Sequence, residues 1–213
     1  IIIFGSFYSI DPDMRERFYE LIKYAHERKA ILIYLLGCQH GINCRITKVM
    51  PGILENLEIA DIVIATQKDI NDIFPGETSD QAFKNHIEFY CSNFLHIDDD
   101  AHITVYHRNG AKNIFPDANK QFLTNPLGWQ AGLASGITYA LIEGGIMHEQ
   151  VGNVDDETMA GIIATAVEFA NNAALDPARN CIDENFGQTK AAALETLANE
   201  GKESMSNSPT SAI

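Results

Sequence analysis

The chain has 213 residues, 46% of them hydrophobic and 21% charged, with 15 basic residues set against 29 acidic ones. That length allows one substantial core or two small ones in an ordinary globular protein. A formal net charge of −14 argues against nucleic acid or an anionic membrane as a partner.

No apolar run approaches the ~18 residues that cross a bilayer. The opening "IIIFGSFYSI" has neither a basic n-region nor a cleavage site. It also lacks an initiator methionine and begins inside what reads as a strand, so an N-terminal part is expected to precede it. Cys38, Cys44, Cys91 and Cys181 form no CxxC pair. Scattered thiols in a reducing cytoplasm are therefore expected, in place of a disulfide framework or a zinc site.

In chain order, "IIIFGS" is a short apolar run suited to a buried strand. Asp11-Pro12 makes a helix start, with Met14, Phe18, Leu21, Ile22 and Ala25 following at helical spacing. "AILIYLL" reads as a second strand, and a polar loop follows from Gly37 to Asn43. "ITKVMPGILENLE" is helical in pattern, although Pro51 and Gly52 are expected to bend or break it. "DIVIAT" is a third strand and "KDINDIF" a short helix.

After the breaker "PGETS", Phe83, Ile87, Tyr90 and Cys91 mark an amphipathic helix, and "NFLHI" is a fourth strand. "AHITVYHR", the turn "NG" and "AKNIFP" read as a hairpin. A long apolar helix then ends at Gly144-Gly145. Asp155 opens another, with Met159, Ile162, Ile163, Ala166, Val167 and Ala170 facing inward, and "TKAAALETLAN" suggests a last one. The stretch from 201 to 213 has the composition of a disordered tail, leaving a single domain over 1–200.

Alternating apolar strands and amphipathic helices predict an α/β fold: a doubly wound, mainly parallel sheet with helices on both faces and right-handed crossovers. Ligands of such sheets bind beyond the strands' carboxyl ends. The loops to watch are therefore Gly37–Asn43, Thr66–Asp69, Asp98–Asp100 and Asn125–Gly132. The last opens "NPLGWQAGLASGITYALIEGG", where Gly128 and Gly132 sit ahead of a long helix, as in a loop that offers backbone N–H groups to an anion. Between Asn125 and Glu143, however, there is no Asp, Glu, Lys, Arg, His or Cys. An ordinary glycine-containing helix start and a phosphate site without its chemistry both remain open.

In the order of these elements, and in "FGSFYSIDPDMRERF", "ERKAILIY", "ILENLEIADIV" and "HIEFYCSNFL", the chain from Ile1 to about Phe186 resembles the C-terminal two-thirds of the PfkB (ribokinase-like) carbohydrate kinases. The resemblance implies a doubly wound α/β fold and phosphoryl transfer from ATP to a sugar hydroxyl. It places the nucleotide in this portion and the sugar mostly on the N-terminal half. The family's D-T-x-G-A-G-D motif supplies an anion hole from its G-A-G amides and a catalytic base from its last Asp. Laid on this chain it covers Asn125 to Ala131, with Gly128 at the first glycine, Trp129 and Gln130 at A-G, and Ala131 at the base. Gly132 follows in the matching helix.

Other loops depart as well. The family's N-x-x-E, which organises Mg²⁺ through water, corresponds to Thr66-Gln67-Lys68-Asp69, where Asp69 alone keeps the acid. Asp69 is thus either a water-mediated metal organiser or a helix cap. The T-x-G-A-x-G turn corresponds to Ile97–His102, whose three carboxylates would repel a triphosphate unless a cation sat between them. Asp98–Asp100 are expected to form a solvated turn, with His102 and His107 on opposite strand faces. Gln39 and His40 are candidate substrate contacts, and Trp129 either stacks on adenine or covers the core. The resemblance therefore implies an ATP- and Mg²⁺-dependent sugar kinase, with a sugar substrate and a nucleotide as partners and impaired at Ala131, and it leaves a homodimer open. The competing class is an inactive relative serving as a nucleotide-binding or assembly module.

Overall fold

The computed structural model describes residues 1–5, 7–38, 45–107, 112–115 and 126–174. Gln39, His40, Cys44, the Asn109-Gly110 turn, Asn125, Cys181, the expected last helix and the expected tail lie outside them.

β1 (Ile2–Gly5), β2 (Leu32–Leu35), β3 (Ile62–Thr66), β4 (Asn93–Ile97), β5 (Ile103–His107) and β6 (Lys112–Phe115) form one six-stranded sheet in sequential order. The first four strands are parallel neighbours, as expected. β5 and β6 return antiparallel, with Ile103 opposite Phe115 and Tyr106 opposite Lys112. Helices α1 (Pro12–Glu27), α2 (Ile46–Ile59), α3 (Gln67–Ile73) and α4 (Ser79–Ala82) connect the parallel strands. After β6 come α5 (Pro126–Glu143), α6 (His148–Val151) and α7 (Asp156–Ala174).

Strand alternation sends side chains into two cores. Leu32, Tyr34, Val63, Ala65 and Phe94 meet α1 to α4 on one face. Ile33, Ile62, Ile64, Leu95 and Ile97 meet α5 to α7 on the other. Strands buried on both faces read as continuous apolar runs, which is why they are easy to find.

Two local expectations need correction. Pro51 does not break α2, which runs unbroken from Ile46 to Ile59. The proline forfeits one hydrogen bond, while Val49, Ile53 and Leu57 bury the stripe that holds the helix down. The helix expected around Phe83 begins earlier, inside the segment read as a breaker: Thr78 and Gln81 form a capping box at the start of α4. From Phe83 to Ile87 the chain takes a wider π turn, with the Glu88 N–H donating to the Phe83 carbonyl at 2.8 Å. That turn leaves both Phe83 and Ile87 buried, Phe83 with its ring 5.1 Å from Tyr106 and 6.0 Å from Phe94. Among the described residues, no helix is long and apolar enough to cross a membrane.

Candidate functional site

The carboxyl ends of β2 and β3 bring together Gly37 and the Thr66–Asp69 turn. Thr66 caps α3 by accepting from the Asp69 N–H at 3.2 Å. Asp69 answers with one oxygen, Oδ2, which accepts from the Thr66 N–H at 2.9 Å and from the Thr66 hydroxyl at 2.5 Å. The other oxygen lies against Gly37, where a β-carbon would sit 3.0 Å from it. Burial pushes the Asp69 carboxyl above the usual carboxylate range, and the Thr66 hydrogen bonds only partly offset this. Lys68 does not point its charge at Asp69 but pairs with Asp72 at 2.7 Å. In the same layer, burial raises the Tyr34 hydroxyl to about 12, against the pull of Asn56 and Ser9.

At the exit of β4, Asp98 closes its own turn. Its Oδ1 accepts from the Asp100 N–H at 3.0 Å and the His102 N–H at 2.8 Å, and its Oδ2 lies 3.0 Å from His102 Nδ1. Burial would raise the Asp98 carboxyl, but the His102 backbone and ring and the Asp100 N–H outweigh it and hold it below the usual range. Asp99 and Asp100 are exposed. Register places His102 and His107 at opposite ends of the β4–β5 pair, with Asn93 opposite His107. Among the described residues, no group of three His, Cys, Asp or Glu is placed to hold a metal ion.

The stretch from Gly128 to Gly132 corrects the expectation of a loop. α5 already begins at Pro126, a residue suited to a first helical position, so these residues are helical. Neither glycine has positive φ; among the described glycines, only Gly76 and Gly145 do. In a helix starting at Pro126 the Gln130 amide faces the Pro126 carbonyl in the i→i−4 ladder. Trp129 is fully buried, and its indole N–H donates to Asn171 Oδ1 of α7 at 3.0 Å, so the side chain covers the core. Gly132 is buried, Gly128 and Gln130 are half-buried, and Ala131 is exposed.

Reading along the sequence missed a polar cluster at the opposite, amino ends of the strands. Asp61 lies 3.3 Å from His148 Nε2 and accepts the Leu32 N–H at 2.8 Å, and the His26 and His148 rings lie 6.1 Å apart. Asn93 donates to the carbonyls of Asp61 and Val151. No local pattern marks this cluster, since its members come from five separate parts of the chain.

With this geometry, solved kinase structures overlay most of the chain. Aminoimidazole riboside kinase from Salmonella enterica matches 87% of this chain and 60% of its own, at 13% identity and a TM-score of 0.63. Fructokinase from Xylella fastidiosa, solved with bound ATP, matches 82% and 55%, at 15% identity and 0.63. Fructokinase from Vibrio cholerae, with fructose, ADP and potassium, matches 81% and 52%, at 12% identity and 0.60.

The chain has the fold of the PfkB-family carbohydrate kinases.

Identities of this size carry the fold alone. The chain spans between 52% and 60% of the length of these three kinases. No protein-family model and no curated protein matches the sequence. Within the ribokinase-like fold, Ala131 puts an exposed methyl in the second turn of α5.

Proposed function

We propose that the chain is the nucleotide-binding portion of a PfkB-type carbohydrate kinase, impaired in transferring the ATP γ-phosphoryl group to a sugar hydroxyl. The observation that supports impairment is Ala131. It is exposed on α5 at the position where the resemblance calls for a base, and a methyl accepts no proton. Loss of a general base typically costs about 10²–10⁴-fold in rate. A second reading, an inactive relative that binds nucleotide or serves assembly, is favoured by Trp129 and Gln130 lying inside α5 and not in an open anion loop. In both readings the nucleotide lies beside Thr66, Asp69, Gly128 and Gln130, while Trp129 and Gly132 are buried and support the segment from the core. ATP and a sugar are the partners, the cytoplasm is the compartment, and homodimerisation is a matter for sizing the full-length protein.

Mg²⁺ fits this chain poorly. Asp69 is the acid retained in its loop; one of its oxygens is committed to Thr66, and the other lies 3.0 Å from where a β-carbon of residue 37 would sit. The residues' own contribution to catalysis is thus limited to shaping and holding a phosphate-bearing ligand.

ATP consumption against a panel of sugars tests the reading on the full-length protein. The unmodified chain should show at most trace turnover. Ala131→Asp, a substitution at an exposed position of α5, should recover part of the rate. Robust turnover without substitution would overturn impairment, and an Ala131→Asp variant that keeps the wild-type Tm yet stays silent would remove the alignment's support.

A further inference from the structure

Asp69 is the one acid that the resemblance offers to a divalent cation, yet its surroundings are those of a structural residue. Its Oδ2 takes two hydrogen bonds from Thr66, at 2.9 Å from the N–H and 2.5 Å from the hydroxyl. Thr66 in turn accepts the Asp69 N–H, so the two residues close a reciprocal box at the first turn of α3. In the segment leaving β2, a β-carbon on Gly37 would sit 3.0 Å from Oδ1. A side chain at 37 would crowd that oxygen, so the segment keeps its present approach to the carboxylate only with glycine there. Gly37 is two residues beyond Leu35, the end of β2, and Thr66 ends β3. A cation bound directly or through water needs carboxylate lone pairs turned to solvent and a set of oxygen donors around it. Lys68 of the same turn is paired with Asp72 at 2.7 Å.

We propose that Thr66, Asp69 and Gly37 form a structural clasp joining the exits of β2 and β3, and that this clasp withdraws Asp69 from divalent-cation binding. The burial that holds the Asp69 carboxyl above the usual range acts in the same direction. The proposal touches the kinase reading only through its metal. Stability and metal binding are both measured without turnover, so failure of the clasp and failure of the kinase reading are told apart.

Two measurements on the whole chain test it. Mn²⁺ alone, titrated by water-proton relaxation, should bind the wild type and Asp69→Asn within about twofold of each other, whereas a carboxylate that holds the ion directly or through water loses about tenfold or more on such a change. Thr66→Ala and Asp69→Ala should each lower Tm by about 2–6 °C, the usual range for a lost cap in a domain of this size. The double variant should fall little further than the worse single one, since either change breaks the same box. Gly37→Ala should lower Tm as well. Mn²⁺ binding weakened tenfold or more in Asp69→Asn would overturn the proposal, and so would fully additive losses in the double variant.

Discussion

Lys29 and Ala101 are the non-glycine residues with left-handed backbone among those described, at φ 61° and 65°. Lys29 ends α1 in a Schellman arrangement: its N–H reaches the His26 carbonyl at 2.9 Å, and the Ala30 N–H reaches Ala25 at 3.1 Å. An L-residue there loses about 1–2 kcal/mol, and glycine would return about 0.5–1 of that through its looser unfolded chain. Since Lys29 is exposed, Lys29→Gly should raise stability by about 0.5–1 kcal/mol, read from urea midpoints. Ala101 is fully buried, so Ala101→Gly also gives up a methyl worth about 0.8 kcal/mol and should be nearly neutral.

Asp61 makes a prediction with pH. Burial raises its carboxyl above the ordinary value, against the pull of the Leu32 N–H, His148 and His26. A raised carboxyl binds its proton more tightly folded than unfolded. Its favourable share is therefore complete below the ordinary carboxylate value and is lost as pH rises through the folded one. Relative to Asp61→Asn, the wild type should gain stability as pH falls from about 7 towards 4. A constant difference between the two melting curves across that range would refute the burial account.

At the scale of elements, the α5–α7 contact is set by a missing side chain. A β-carbon on Gly136 would lie 2.6 Å from Ala166 Cα and 2.7 Å from Phe169 Cβ. Gly161 of α7 has nothing within 4 Å of the same point. Alanine is better than glycine in any helix interior by about 1 kcal/mol, but overpacking typically costs about 1–3 kcal/mol. Gly136→Ala should therefore destabilise on balance, while Gly161→Ala should stabilise by about 0.8–1 kcal/mol. Chemical denaturation of both variants decides, and a stabilised Gly136→Ala would contradict the close approach of the two helices.

Across the molecule, the central strands are sealed between two helical layers while β1 is not. Leu32, Ile33, Val63, Ile64, Phe94 and Leu95 have no exposed surface, whereas Ile3 of β1 is 39% exposed. Among the described strands, β1 pairs with β2 alone. Local opening should follow that gradient. Amides of β2, β3 and β4 should be the last to exchange with deuterium and those of β1 earlier; protection in β1 outlasting that in β3 would be the contrary result.

The strands and their parallel order were set by local chemistry: four apolar runs, each separated by an amphipathic stretch, have few other ways to bury themselves. The absence of an acid at Ala131 was equally plain from residue identity. What lay beyond the sequence was every question of competition between neighbours. Pro51 looks like a breaker until the burial of Val49, Ile53 and Leu57 is weighed against one lost hydrogen bond. Asn125–Gly132 looks like an anion loop because glycine permits one, yet a proline suited to a first turn and a tryptophan anchored on Asn171 go with a helix that already holds Pro126 to Gly132. Asp69 could serve a cation or a cap by residue type, and the reciprocal bonds with Thr66 that make it a cap are seen only in the structure. Residue type states which interactions are available, and tertiary packing decides which of them a side chain keeps, because each lone pair and each buried surface is used once.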